Sequence, residues 1–117
     1  PMTRLLNFTP HVELVYRPDG AAPVVLPQQG NVRCAEEYLS GGTLAGTDLP
    51  LTLMRYGLVS GLPEPAPGVV YLVSQLVVSA CPWRQDLAFP AGLVRDEGGS
   101  IIGFRFLARP APTGEVP

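Results

Sequence analysis

The only histidine of the sequence, His11, closes the run Asn7-Phe8-Thr9-Pro10-His11. Pro10 holds Thr9 extended and fixes its own φ, and in extended chain the side chains two positions apart share a face. Asn7, Thr9 and His11 can therefore line up as three polar groups. Imidazole gives and takes protons near neutral pH, which makes His11 the candidate general base. The same residues also permit a plainer arrangement, with Asn7 and Thr9 bonding nearby backbone in a turn while His11 faces solvent. A second cluster is Cys81-Pro82-Trp83-Arg84-Gln85-Asp86-Leu87, where a guanidinium stands two residues from a carboxylate. The planar fork of Arg84 suits a phosphate or carboxylate, and Trp83 can stack on a planar ring. The alternative is an Arg84–Asp86 ion pair that orders the loop, with Trp83 as a core plug. In the third cluster, Val94-Arg95-Asp96-Glu97-Gly98-Gly99, Arg95 can meet an anion or a cross-strand carboxylate, and Asp96 can start a turn.

Taken together these segments give a candidate binding set of Asn7, Thr9, His11, Trp83, Arg84, Asp86 and Arg95, suited to a small anionic or nucleotide-like ligand. The set implies no cofactor. Phosphate loops, dinucleotide fingerprints and nucleophile elbows all have glycine spacings that are absent, and Gly98-Gly99 reads as a turn. One histidine, two separated cysteines and scattered carboxylates offer no metal-ligand pair on one face. Cys81, at the end of an expected helix, would lie at the negative pole of its dipole, which raises a thiol's pKa, so it reads as packed and not reactive.

The elements that must position these groups are mostly strands. With 14 prolines and 13 glycines spread along the chain, few windows can hold a helix of more than about ten residues. Val12, Leu14 and Tyr16 alternate with Glu13, Val15 and Arg17 up to the turn Arg17-Pro18-Asp19-Gly20, and a strand over Pro23 to Leu26 follows. Asn31 to Leu39 contains helix formers, but its shortness and the following Gly41-Gly42 favour a strand. It pairs with Leu49 to Leu53 across a turn at Thr47-Asp48 to form a long hairpin. The prolines of Pro63-Glu64-Pro65-Ala66-Pro67 withhold backbone donors, so this connector should run over the surface. Val69 to Val73 reads as a strand buried on both faces, and Ser74 caps a helix over Gln75 to Cys81 that Pro82 ends. A closing hairpin joins Leu93–Asp96 to Ser100–Leu107, with Ile102, Phe104 and Phe106 on one face.

The expected fold is mainly β, a β-rich α+β arrangement: a small antiparallel sheet or barrel with one short helix near 75–81. Residues 1–109 should form a single globular domain and 110–117 a flexible tail, since 117 residues suit one core. Hydrophobic residues make up 46% and charged residues 15%, with every basic residue an arginine and a formal net charge of -2. Such a chain has no field to draw in a nucleic acid backbone. The longest apolar run, Val69 to Val78, is broken by Ser74 and Gln75, which excludes a membrane helix. Pro1-Met2-Thr3-Arg4 has none of the regions of a signal peptide, so a cytoplasmic protein is expected. A sheet this apolar, with few charges to guard its edges, predicts a homo-oligomer.

Several segments together carry a resemblance: Asn7-x-Thr9-Pro10-His11, Gly61-Leu62-Pro63-x-Pro65, Tyr71-x-Val73-Ser74, Arg84-x-Asp86-Leu87 with Pro90, and Val94-Arg95-Asp96-Glu97-x-Gly99-x-Ile101-x-Gly103. Over most of its length the chain resembles a group of small uncharacterised proteins of bacterial and bacteriophage genomes. The resemblance implies a phage- or mobile-element-related setting and supplies no mechanism. Three functions stay open: a non-catalytic binding protein for the ligand above, a structural or protein-interaction domain acting as a homo-oligomer, and a small hydrolase or lyase using His11 with Asp86 or Asp96. The short list of titratable groups points away from the enzyme.

Overall fold

The structure, a computed structural model, describes residues 2–111; the expected tail therefore falls largely outside the described residues. Among the described residues, eight strands and one short helix form a nearly closed barrel with a long two-stranded ribbon standing off it. The six barrel strands are β1 (Arg4–Asn7), β2 (Glu13–Tyr16), β3 (Val24–Pro27), β6 (Val69–Leu72), β7 (Leu87–Arg95) and β8 (Ile101–Ala108). They lie in the order β1-β6-β7-β8-β2-β3, and a bridge between Asn7 and Gln28 brings the two outer strands together. The ribbon pairs β4 (Arg33–Thr43) with β5 (Pro50–Ser60).

The expected β-rich fold with one helix is what the chain adopts, but the strand directions differ from a purely antiparallel sheet. β1 runs parallel to β6, β6 to β7, and β2 to β8. The cause lies in the connections: β6 and β7 are joined through α1 (Gln75–Ala80), and a crossover of that kind returns the chain in the same direction. Ser74 caps α1 by accepting a hydrogen bond from Val77 N at 3.4 Å, as its position before the helix implies. β1 was not expected from the sequence at all.

Alternation along β6 divides the core in two. Val70 and Leu72 point into the barrel with Leu14, Leu26, Ala88, Phe104 and Leu107. Val69, Tyr71 and Val73 point outwards, where Val77 and Val78 of α1 and Cys81 at its end cover them. Burial on both faces is what the unbroken apolar run dictates. The outer layer is locked by an edge-on contact of Phe8 with Tyr71, whose ring centroids lie 5.2 Å apart, and by the Tyr71 hydroxyl donating to Glu64 O of the proline-rich connector. On β8, Phe104 fills the barrel while Phe106 is largely exposed and Leu107 packs inward instead, so the expected single face of Ile102, Phe104 and Phe106 does not persist to the strand's end.

The ribbon is a different kind of structure. Strands of 11 residues span about 36 Å. Only its base, through Cys34 and Val59, packs against the core under α1. Its register sets Glu37 and Leu39 opposite Arg55 and Leu53 on one face, and Tyr38 and Ser40 opposite Met54 and Thr52 on the other. Apolar side chains thus project from both faces. The radius of gyration, 17.5 Å, exceeds the roughly 13 Å of a compact domain of this length. Among the described residues no helix is long and apolar enough to cross a membrane.

Candidate functional site

The parallel pairing of β2 with β8 stops at a single register pair, Tyr16 with Phe104. At that crossing the strands almost touch, since a Cβ on Gly103 would lie 2.6 Å from Val15 O, which leaves glycine as the residue that fits. Before it, Glu13 to Val15 on β2 and Ile101 to Gly103 on β8 form the walls of a trench of about 620 Å³. Phe89, Leu14, Val73 and Phe104 contribute to its apolar lining, Leu93 and Ile101 stand half exposed, and Thr9, His11, Glu13, Ser74 and Gln75 supply its polar groups. A second, more open depression of about 590 Å³ shares Pro10 and Ser74 with the first and leads to the base of the ribbon at Arg33, Cys34 and Ser60. Among the described residues the buried Oδ1 of Asn31 at this depression has no hydrogen-bond partner.

Of the residues expected to bind a ligand, Thr9 and His11 line the trench and the others do not. Asn7 is fully buried at the end of β1 and works as a clasp. Its Nδ2 donates to His11 O at 3.2 Å and Leu26 O at 3.0 Å, and its Oδ1 accepts from Thr9 N at 3.0 Å and Thr9 Oγ1 at 2.7 Å. Thr9 Oγ1 in turn accepts from His11 N, and Gln28 Nε2 donates to Thr9 O at 2.7 Å. The Asn7-to-His11 segment thus takes the turn arrangement: it ties β1 to β3 where the barrel closes. His11 is exposed on the trench wall, and among the described residues no side-chain hydrogen bond orients its imidazole.

Arg84 and Asp86 form a two-pronged ion pair, Nε to Oδ1 at 2.7 Å and Nη2 to Oδ2 at 2.8 Å, with Nη2 also donating to Pro63 O at 2.9 Å. The Arg84 guanidinium beside it holds the Asp86 carboxyl below its usual range, against the opposing effect of burial. This fork fastens the proline-rich connector to the turn after α1. Trp83 in the same turn is 73% exposed, so it is neither a core plug nor part of the trench. Arg95 donates to Gly99 O at 2.8 Å and caps its own hairpin, while Asp96 Oδ1 accepts from Ser100 N at 3.0 Å in that hairpin turn. The carboxylates paired with His11 in the enzyme reading, Asp86 and Asp96, are both bound elsewhere. Burial first, and then the nearby Cys34, pushes the Cys81 thiol up; it is packed at the helix end.

Sequence reasoning passed over Glu13, Ser74 and Gln75 as site residues. Glu13 follows His11 by two, the period-two spacing that puts both on one side of an extended chain, so that signal was present. Ser74 and Gln75 reach the trench only because β6 and β7 are neighbours, which no local pattern encodes. Among the described residues no cluster of three or more His, Cys, Asp or Glu is placed to hold a metal ion. No family model, no curated protein and no solved structure matches the chain.

Proposed function

We propose that this chain is a non-catalytic structural or interaction domain that works as a homo-oligomer, with the β4–β5 ribbon as its assembly element. The observation that carries the reading is the ribbon's uncovered apolar surface: Tyr38, Leu39, Leu53, Met54, Tyr56 and Leu58 are all more than a third exposed, on both faces. Monomers seldom present such a patch, because burying it gains about 25 cal/mol for each Å² removed from water. An isolated two-stranded hairpin is also marginal in water, so the ribbon itself gains from a partner.

The anionic-ligand reading has less behind it. It depends on guanidinium groups converging on one cavity, and Arg84 and Arg95 are engaged with Asp86, Pro63 O and Gly99 O away from the trench. Sedimentation velocity at tens of micromolar tests the assembly reading. The wild type should run as a defined oligomer, and Leu53→Ser with Met54→Ser should shift it to the monomer without loss of the far-ultraviolet spectrum. A wild type that stays monomeric overturns the proposal.

A further inference from the structure

We infer that Cys34 and Cys81 are an oxidisable pair: exchange with a low-molecular-weight disulfide closes an intrachain bond between them that fastens the base of the ribbon to the end of α1. The inference stands apart from the assembly reading, since it concerns a single molecule and the covered end of the ribbon.

These are the two cysteines of the chain, both free, and they lie on separate elements that the fold packs together. Cys81 follows α1 and is buried with Tyr71, Val77 and Val78, while Cys34, near the start of β4, packs against that same group beside its strand partner Val59. α1 rests on both ribbon strands. The two thiols are close enough for Cys34 to push the Cys81 pKa up further than burial alone does. The Cys34 sulfur is loosely held: among the described residues its hydrogen bond is a long contact of 3.5 Å to Ala35 O. The register of β4 with β5 shifts between Cys34 and Glu36, and an irregularity of that kind lets a strand bend locally, which is the freedom two sulfurs need to reach bonding geometry.

The pair is asymmetric, and that sets the order of events. Cys34 is half-buried on the wall of the second depression, where a small solute can reach it, whereas Cys81 is 2% exposed. The Cys34 thiolate attacks one sulfur of R–S–S–R; a Cys34–S–S–R bond forms, the R–S–S–R bond breaks, and RS⁻ leaves and takes up a proton. The Cys81 thiolate then attacks the Cys34 sulfur, the protein disulfide forms and the second RS⁻ leaves. Two protein thiols have lost two electrons and two protons, and one R–S–S–R has become two R–SH. Burial keeps Cys81 from outside reagents but not from a sulfur carried by its neighbour, and its raised pKa makes the second step the slower one. Once closed, the bond keeps the base of β4 from parting from the barrel.

The test is oxidation of the reduced, folded full chain with oxidised glutathione at mildly alkaline pH, quenched in acid and read by intact mass and by peptide mapping without reduction. One glutathione should appear on Cys34 first and then leave, giving a chain lighter than the reduced one by two hydrogens, with the Cys34 and Cys81 peptides joined. With Cys81→Ala the glutathione should stay on Cys34, and with Cys34→Ser the Cys81 thiol should stay free. A wild type that keeps its glutathione as long as Cys81→Ala does, or that links Cys34 to Cys34 between chains instead, overturns the inference. So does a Cys34→Ser chain whose Cys81 takes up glutathione as fast as Cys34 does in wild type, because the bond would then form through unfolded chain. Should Cys81→Ala not fold, the wild type decides alone. Conversion of the mixed disulfide to the intrachain bond at a rate independent of protein concentration supports the pair, and a mixed disulfide that persists overturns it.

Discussion

Leu72 and Leu53 are the same residue on paired strands, yet Leu72 is fully buried and Leu53 is 51% exposed. The difference lies in what surrounds each strand. β6 has neighbours on both edges and a core on both faces, whereas β5 has one neighbour and no covered face beyond its base. The barrel therefore satisfies itself: its apolar side chains pack, its end is clasped by Asn7, and its long connector is pinned by Arg84. The ribbon satisfies only its backbone. The same pattern of alternating apolar residues that stabilises one region leaves the other dependent on contact from outside.

Substitutions should split along that line. The largest stability losses belong to the barrel: Phe104→Ala removes a ring buried to 3% exposure, and chemical denaturation should register a loss of about 3–5 kcal/mol. Next comes Asn7→Ala, which leaves Thr9 N, Leu26 O and His11 O without their partner. A cost of about 3 kcal/mol is expected from those unmet groups, with β1 and β3 gaining hydrogen exchange first.

Smaller, and pH-dependent, is Asp86→Asn. The Arg84–Asp86 ion pair is only 13% and 17% exposed at the two side chains, and about 2 kcal/mol, the size of a hydrogen bond to a charged group, should be lost at neutral pH. Because the folded-state pKa of Asp86 lies below the ordinary 3.8, the stabilisation is present above that value and is lost as pH falls through the folded pKa. Denaturation curves of wild type and variant should therefore converge in acid; a gap that persists unchanged at low pH would assign the effect to something other than the carboxylate. The smallest effect is expected on the ribbon, where Arg55→Ala breaks an ion pair with Glu37 that is 64% and 46% exposed. Such pairs contribute about 0–1 kcal/mol, so monomer stability should scarcely change.

The sequence made the local pieces legible. Ser74 ahead of a short apolar run marked α1, Glu97-Gly98-Gly99 marked the closing hairpin, and the two apolar stretches around Thr47-Asp48 marked the ribbon. What it did not carry was the meeting of distant segments. β1 is four residues, Arg4-Leu5-Leu6-Asn7, too short for its alternation to register, and its parallel partner β6 lies more than 60 residues on. The ribbon's exposure was hidden for a related reason: hydropathy tells which side chains seek cover, not whether the rest of the same chain reaches them. The site followed the same rule. The Asn7-to-His11 run was visible as a polar cluster, but whether Asn7 faces a ligand or closes a barrel depends on Leu26 and Gln28, which sit on another strand. Arg84 and Asp86, only two residues apart, could be read directly as a pair.

The account rests on the ribbon being held by other copies of the chain while the barrel holds itself. Hydrogen exchange at high and low protein concentration tests this most directly. Amides of Ala35 to Leu58 should be protected in the concentrated sample and exchange several-fold faster on dilution below the assembly range, with the barrel amides of β6, β7 and β8 unchanged. Ribbon protection that is equally strong at both concentrations, in a protein that sediments as a monomer, would contradict it.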